Sequence, residues 1–220
     1  METPTAPEPQ AAVLRRPTLR GIPDVIAFLF AVPAGIWLFL ATEGAVAAFS
    51  AASFSFGLAL MLGTSGLYHA VTWSPRRLAL LARLDHSAIF VLIGLSYTPF
   101  CLCTGMSFGP HILGAVWAAS LVGVLHTLFL PGAHRAVRAT LFVLLGVAMV
   151  PNTPSLYAVL PGSAFALSLT GGAAYILGAC IYVTRWPNPS PRHFGYHEVF
   201  HLFVFAGAAC HYAAIWQIVT

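Results

Sequence analysis

After its first twenty residues or so, the chain is divided into seven long apolar runs by short stretches rich in Arg, Pro and Gly. Each run approaches the roughly 20 residues that an α-helix needs to cross the hydrocarbon core of a bilayer. The runs fall at about 23–42, 46–70, 84–103, 110–130, 136–151, 163–184 and 197–219. The fifth is the shortest and ends at Pro151-Asn152-Thr153-Pro154. Glycines recur through the runs, for example at Gly57, Gly94, Gly171, Gly178 and Gly207, as close helix–helix packing in a membrane requires. The pattern predicts an all-α, polytopic membrane protein, a seven-transmembrane-helix bundle over residues 21–220. Residues 1–20 read as a disordered cytoplasmic tail, proline-rich and without an apolar run. The tail lacks the basic start and apolar core of a secretory signal, so no cleavage is predicted.

Composition points the same way. Hydrophobic residues make up 59% of the 220 and charged residues only 7%, whereas a soluble domain carries about 25% charged residues. All ten basic residues are arginines, scattered in ones and twos between the runs, so they read as topology signals and not as a nucleic-acid-binding patch. Arg15, Arg16 and Arg20 precede run one, and Arg76, Arg77 and Arg83 separate runs two and three. Arg135 and Arg138 separate runs four and five, and Arg185 and Arg192 runs six and seven. The alternate connections carry none, which places the N-terminus in the cytoplasm and the C-terminus outside. The four cysteines form no CxxC pair and read as reduced thiols within apolar segments.

This topology turns the polar residues into a depth map. Run two ends with Ser65-Gly66-Leu67-Tyr68-His69, run three opens with Leu84-Asp85-His86-Ser87, and run seven opens with His197-Glu198-Val199-Phe200-His201. His69, Asp85, His197 and His201 therefore arrive at one depth from one side. His197 and His201, four residues apart, share a helix face and can grip one metal ion, and Ser65 shares a face with His69 in the same way. Ionisable residues inside a membrane segment are costly and mark function by default. Three neutral imidazoles leave a fourth tetrahedral position open, as in a catalytic zinc site. Asp85 is then either a fourth ligand or a carboxylate that holds the bound water. His211 lies ten residues beyond His201, about 15 Å along the axis, too far to share that metal. His86 points about 100° away from Asp85 around the helix. His111, His126, His134 and His193 read as solvated or structural.

With these residues in view, the chain resembles the progestin and adipoQ receptor family, most closely its bacterial haemolysin III branch. The matching pieces are Ser65-x-x-Tyr68-His69, Leu84-Asp85-His86-Ser87 and His197-Glu198-x-x-His201 with a following His211, in the family's order. The resemblance implies a seven-helix bundle in the bacterial inner membrane, with the N-terminus in the cytoplasm and a zinc ion near the cytoplasmic face. Carried over by motif, it implies His69, His197 and His201 as zinc ligands, Asp85 holding the zinc-bound water and Ser65 close to the metal. Family members act as lipid-amide hydrolases, hormone-responsive receptors or haemolytic pore formers.

The leading expectation is a zinc-dependent hydrolase acting on a lipid amide or ester near the cytoplasmic face, with Asp85 and Ser65 as catalytic residues and membrane lipids as partners. The alternatives are a membrane-perturbing pore former and a receptor-like protein with a structural zinc. His197-Glu198-x-x-His201 also matches the zinc-metalloprotease pattern, in which the glutamate is the general base. That reading ranks lower, because the nineteen residues after His201 offer His211 alone as a third ligand. A bis-histidine haem carrier using His111, His126, His197 and His211 leaves His69 and Asp85 unexplained.

Overall fold

The computed structural model describes residues 17–130, 132 and 134–220. Positions 1–16 of the expected disordered tail lie outside the described residues. Positions 17–20 form a turn, in which the Thr18 and Leu19 N–H groups donate to the Arg192 and His193 carbonyls at 3.0 and 3.2 Å.

The described residues form eight α-helices: α1 Ile22–Leu40, α2 Ala45–Ala70, α3 Pro75–Leu102, α4 Gly109–Phe129, α5 Arg135–Gly146, α6 Thr153–Val159, α7 Gly162–Thr184 and α8 Tyr196–Val219. A 3-10 turn, Val147–Asn152, joins α5 to α6. Pro23, Pro75, Pro110 and Pro154 stand in the first turns of α1, α3, α4 and α6. A proline there gives up an N–H that the helix leaves unpaired in any case.

Seven segments are long and apolar enough to span a membrane, with α5, the 3-10 turn and α6 together forming the fifth, Arg135–Val159. The fifth span therefore runs past the Pro-Asn-Thr-Pro break where its apolar run stops. The break sits at membrane depth, where freed backbone groups must find protein partners. Tyr97 of α3 supplies them: its hydroxyl donates toward the Leu145 and Gly146 carbonyls, at 3.0 and 2.9 Å, and accepts from the Met149 N–H at 3.2 Å. The third span also begins earlier than its apolar run, at Pro75. The added turns carry Arg76, Arg77 and Arg83 among Leu and Ala, all good helix formers, so the helix outlasts the hydrophobic pattern.

Helices α1 to α4 pack in sequence, α7 packs along α8, and α8 closes the bundle by touching α1, α2 and α3. The buried core lies chiefly between α2, α3 and α8, in Phe54, Leu58, Met61, Leu62, Leu92, Ala214 and Ile215. The outer faces are apolar as well: Phe30 is 73% and Phe129 75% exposed, as expected where lipid is the solvent. The connections that carry arginine all lie at one end of the bundle, and the same end receives the last turn of α2 and the first turns of α1 and α8.

Candidate metal centre

His69 leaves the last turn of α2, and His197 and His201 leave the first two turns of α8. All three are buried. Their ligand atoms lie within 4.8 Å of one another, so the group is placed to hold a metal ion. The Nε2 atoms of His69 and His197 face each other at 3.1 Å. Two nitrogens on one tetrahedral zinc, at about 2.05 Å from the metal, stand about 3.3 Å apart. Both ring nitrogens of His201 are buried with no hydrogen bond. A buried imidazole nitrogen without a partner is costly unless something binds it, and a metal ion is such a partner.

Sequence reading passed over one carboxylate of this site. Asp24, in the first turn of α1 and 1% exposed, places Oδ1 2.8 Å from His201 Nδ1. Ser65 donates its hydroxyl to the same oxygen at 2.9 Å. The contact with His201 is within ion-pair distance without being aligned as a hydrogen bond, and a carboxylate so placed beside a ligating imidazole raises its basicity, as outer carboxylates of zinc sites do. A signal was present: Asp24 is one of only six acidic residues in the chain, and it opens an apolar segment at the arginine-bearing end.

Close backbone approach puts Asp24 there. Gly21 adopts φ +83°, and a Cβ on it would stand 2.4 Å from the Ala70 nitrogen. Only glycine tolerates both that conformation and that contact. The start of α1 thus lies directly against the end of α2, beside His69.

Asp85, on α3, is buried within electrostatic reach of His201 and Asp24 and close to the Ser65 hydroxyl. Asp24 and Asp85 add two carboxyl groups beside the three imidazoles. The donor set fits zinc. All five residues singled out by motif, Ser65, His69, Asp85, His197 and His201, meet at this one place. Ser65 has its proton engaged by Asp24 and so supports that carboxylate.

Glu198 faces elsewhere. It is 2% exposed, pairs with the Nε of Arg20, and accepts from the Gly195 N–H at 2.7 Å, capping α8. Both oxygens are committed, which removes it as the base of a metalloprotease. His211 donates to the Gly207 carbonyl at 2.9 Å and packs against Phe100 and Tyr175. His86 bonds the Ala82 carbonyl, His134 caps α5 by accepting from the Ala136 N–H, and His193 bonds Thr18. These contacts account for each of the four as structural.

A partly open cavity of about 460 Å³ adjoins the centre, with His69, Asp85 and His197 in its wall. A seven-span bundle that gathers three histidines from α2 and α8 at one end, with carboxylates from α1 and α3, defines a class of multi-pass membrane protein with a buried histidine cluster that could hold a metal ion.

The family model described as haemolysin-III related matches residues 13–212. The chain is 32% identical over 189 residues to the hemolysin-3 homolog of Bacillus subtilis (strain 168), covering 84% of this chain and 85% of that protein. It is 30% identical over 190 residues to hemolysin-3 of Bacillus cereus, covering 84% and 83%. A heptahelical transmembrane protein of Oryza sativa subsp. japonica, ADIPOR1, is 33% identical over 178 residues, covering 72% of this chain and 46% of that protein. The chain belongs to the haemolysin III branch of the progestin and adipoQ receptor family, as a multi-pass membrane protein of the bacterial type.

Proposed function

We propose that this protein is a zinc-dependent hydrolase of a lipid ester or amide, with its site near the cytoplasmic face of the membrane. The observation that carries the reading is the cluster of His69, His197 and His201 beside a cavity that His69, His197 and Asp85 line inside the membrane bundle. When bound, zinc at such a site supplies Lewis acidity, polarising a carbonyl and acidifying water.

The chain's own residues do the rest. Asp85, on the cavity wall, accepts a proton from the attacking water and passes it to the departing oxygen or nitrogen. The water's hydroxyl adds to the acyl carbon, the C–O or C–N bond breaks, and a fatty acid and an alcohol or amine leave. Asp24 lies within ion-pair distance of the His201 ring at Nδ1, and Ser65 holds Asp24. The arginines at this end of the bundle keep it at the cytoplasmic headgroups, where the head–tail linkage of a lipid lies.

The test is a screen of purified protein against lipid esters and amides, alongside Asp85→Asn and His69→Ala. Zinc-dependent release of fatty acid, lost in both variants while Asp85→Asn keeps its metal, supports the reading. Zinc-loaded protein inactive on every ester and amide sinks it. A second reading, membrane permeabilisation, draws on the name of the Bacillus cereus relative. It predicts liposome leakage that persists in His69→Ala.

A further inference from the structure

The described arginines at this end of the bundle differ in setting, and Arg135 is half-buried away from the cavity. Arg76, Arg77, Arg185 and Arg192 are exposed, as residues that set topology need to be. Arg20, Arg83 and Arg138 are half-buried and turn onto the same cavity that His69 and His197 line. They come from three places, the lead-in to α1, α3 and α5, so they surround the cavity and do not form a surface stripe.

Arg20 gives its Nε to Glu198. Arg83 gives one N–H to the Leu128 carbonyl at 3.3 Å, while its Nε is buried with no hydrogen-bond partner. A buried guanidinium N–H with nothing to accept it is a cost that a bound anion removes. Arg138 lies within electrostatic reach of His86, also in the wall. Among the described residues, the one carboxylate lining the cavity is Asp85, which lies within electrostatic reach of His201. Membrane insertion alone explains why arginines lie at this end, but not why three of them enclose the mouth of the metal centre.

We propose that this arginine-lined cavity binds a phosphate group, and that the lipids acted on carry a phosphate a few bonds from the acyl linkage. The second half rests on the hydrolase reading; the phosphate site does not. Guanidinium groups approaching from three directions match the several acceptor oxygens of a phosphate. Arg83 and Asp85 both line this cavity of about 460 Å³, which has room for a phosphate and a neighbouring acyl carbonyl of one headgroup.

The experiment measures equilibrium binding of dioleoyl phosphatidic acid, dioleoylglycerol and inorganic phosphate to the full chain in neutral detergent. Wild type is compared with Arg83→Gln, Arg138→Gln, the milder Arg83→Lys, and His69→Ala. Phosphatidic acid is expected to bind at least about tenfold more tightly than dioleoylglycerol, and each glutamine variant to lose about tenfold of that while dioleoylglycerol is unaffected. His69→Ala, which loses a metal ligand, is expected to keep the preference.

Equal binding of the two lipids by wild type, or a preference that survives in both Arg138→Gln and Arg83→Gln, overturns the phosphate site. Inorganic phosphate binding as tightly as phosphatidic acid, and lost with it in the arginine variants, overturns the lipid assignment in favour of a soluble anion. Intact phosphatidic acid binding without any hydrolysis contradicts the hydrolase reading alone.

Discussion

Replacing Asp24 with asparagine removes one negative charge and keeps the shape of the side chain. Asp24 Oδ1 lies 2.8 Å from His201 Nδ1 and accepts the Ser65 hydroxyl at 2.9 Å. An amide oxygen still accepts from Ser65, so the packing of α1 on α2 is preserved and the charge is the variable. Outer partners of metal-binding histidines are worth about 10–100-fold in metal affinity, or about 1.4–2.8 kcal/mol. Asp24 is 1% exposed, so solvent does not screen it, and the upper end of that range is expected.

The same substitution acts in the opposite direction on the metal-free protein. Asp24 and Asp85 lie within electrostatic reach of each other, and without a cation their charges repel. Removing one is expected to leave the melting temperature of metal-stripped protein unchanged or raised. The assay is a zinc competition titration against a chromophoric chelator, paired with thermal melts of the stripped protein. Weaker zinc binding together with undiminished apo stability is the predicted pair of results. Unchanged zinc affinity in Asp24→Asn refutes the assignment of Asp24, and a fall in apo stability recasts it as a packing residue.

Two further substitutions separate scaffold from site. Glu198→Gln leaves Arg20 without its carboxylate at the start of α8 and is expected to destabilise the fold by about 3 kcal/mol. Its metal content per folded molecule should stay that of wild type, and loss of metal in protein that remains folded contradicts the capping role. Tyr97→Phe removes the hydroxyl that serves Leu145, Gly146 and Met149 at the break in the fifth span. It should cost about 1–3 kcal/mol, read as a lower melting temperature with zinc binding intact.

Much of this arrangement is legible in the sequence because a bilayer restricts the chain so strongly. The apolar runs locate the spans, the alternation of arginine-bearing connections assigns each span a direction, and direction gives His69, Asp85, His197 and His201 a common depth. Asp24 obeys the same rule, since it opens the first span at the same end, but an acidic residue just after Pro23 also reads as an ordinary helix start. Its contact with His201 depends on Gly21 lying against Ala70, an approach that periodicity does not encode. Glu198 was ambiguous for a related reason. Only the meeting of Arg20 with α8 commits its carboxylate, and with that the metalloprotease reading of the pentapeptide loses its base. The extent of the fifth span was hidden because prolines end an apolar pattern, whereas the chain continues through them once Tyr97 serves the freed backbone groups.

The most direct test of the metal centre is the metal content of the protein purified without added chelator, compared with His69→Ala and His201→Ala. One zinc per chain in wild type and loss of that zinc in both variants is the predicted result, because the three ligand positions come from two helices and neither helix supplies a complete set. Metal content that is the same in all three proteins contradicts the centre, and with it the hydrolase proposed to use it.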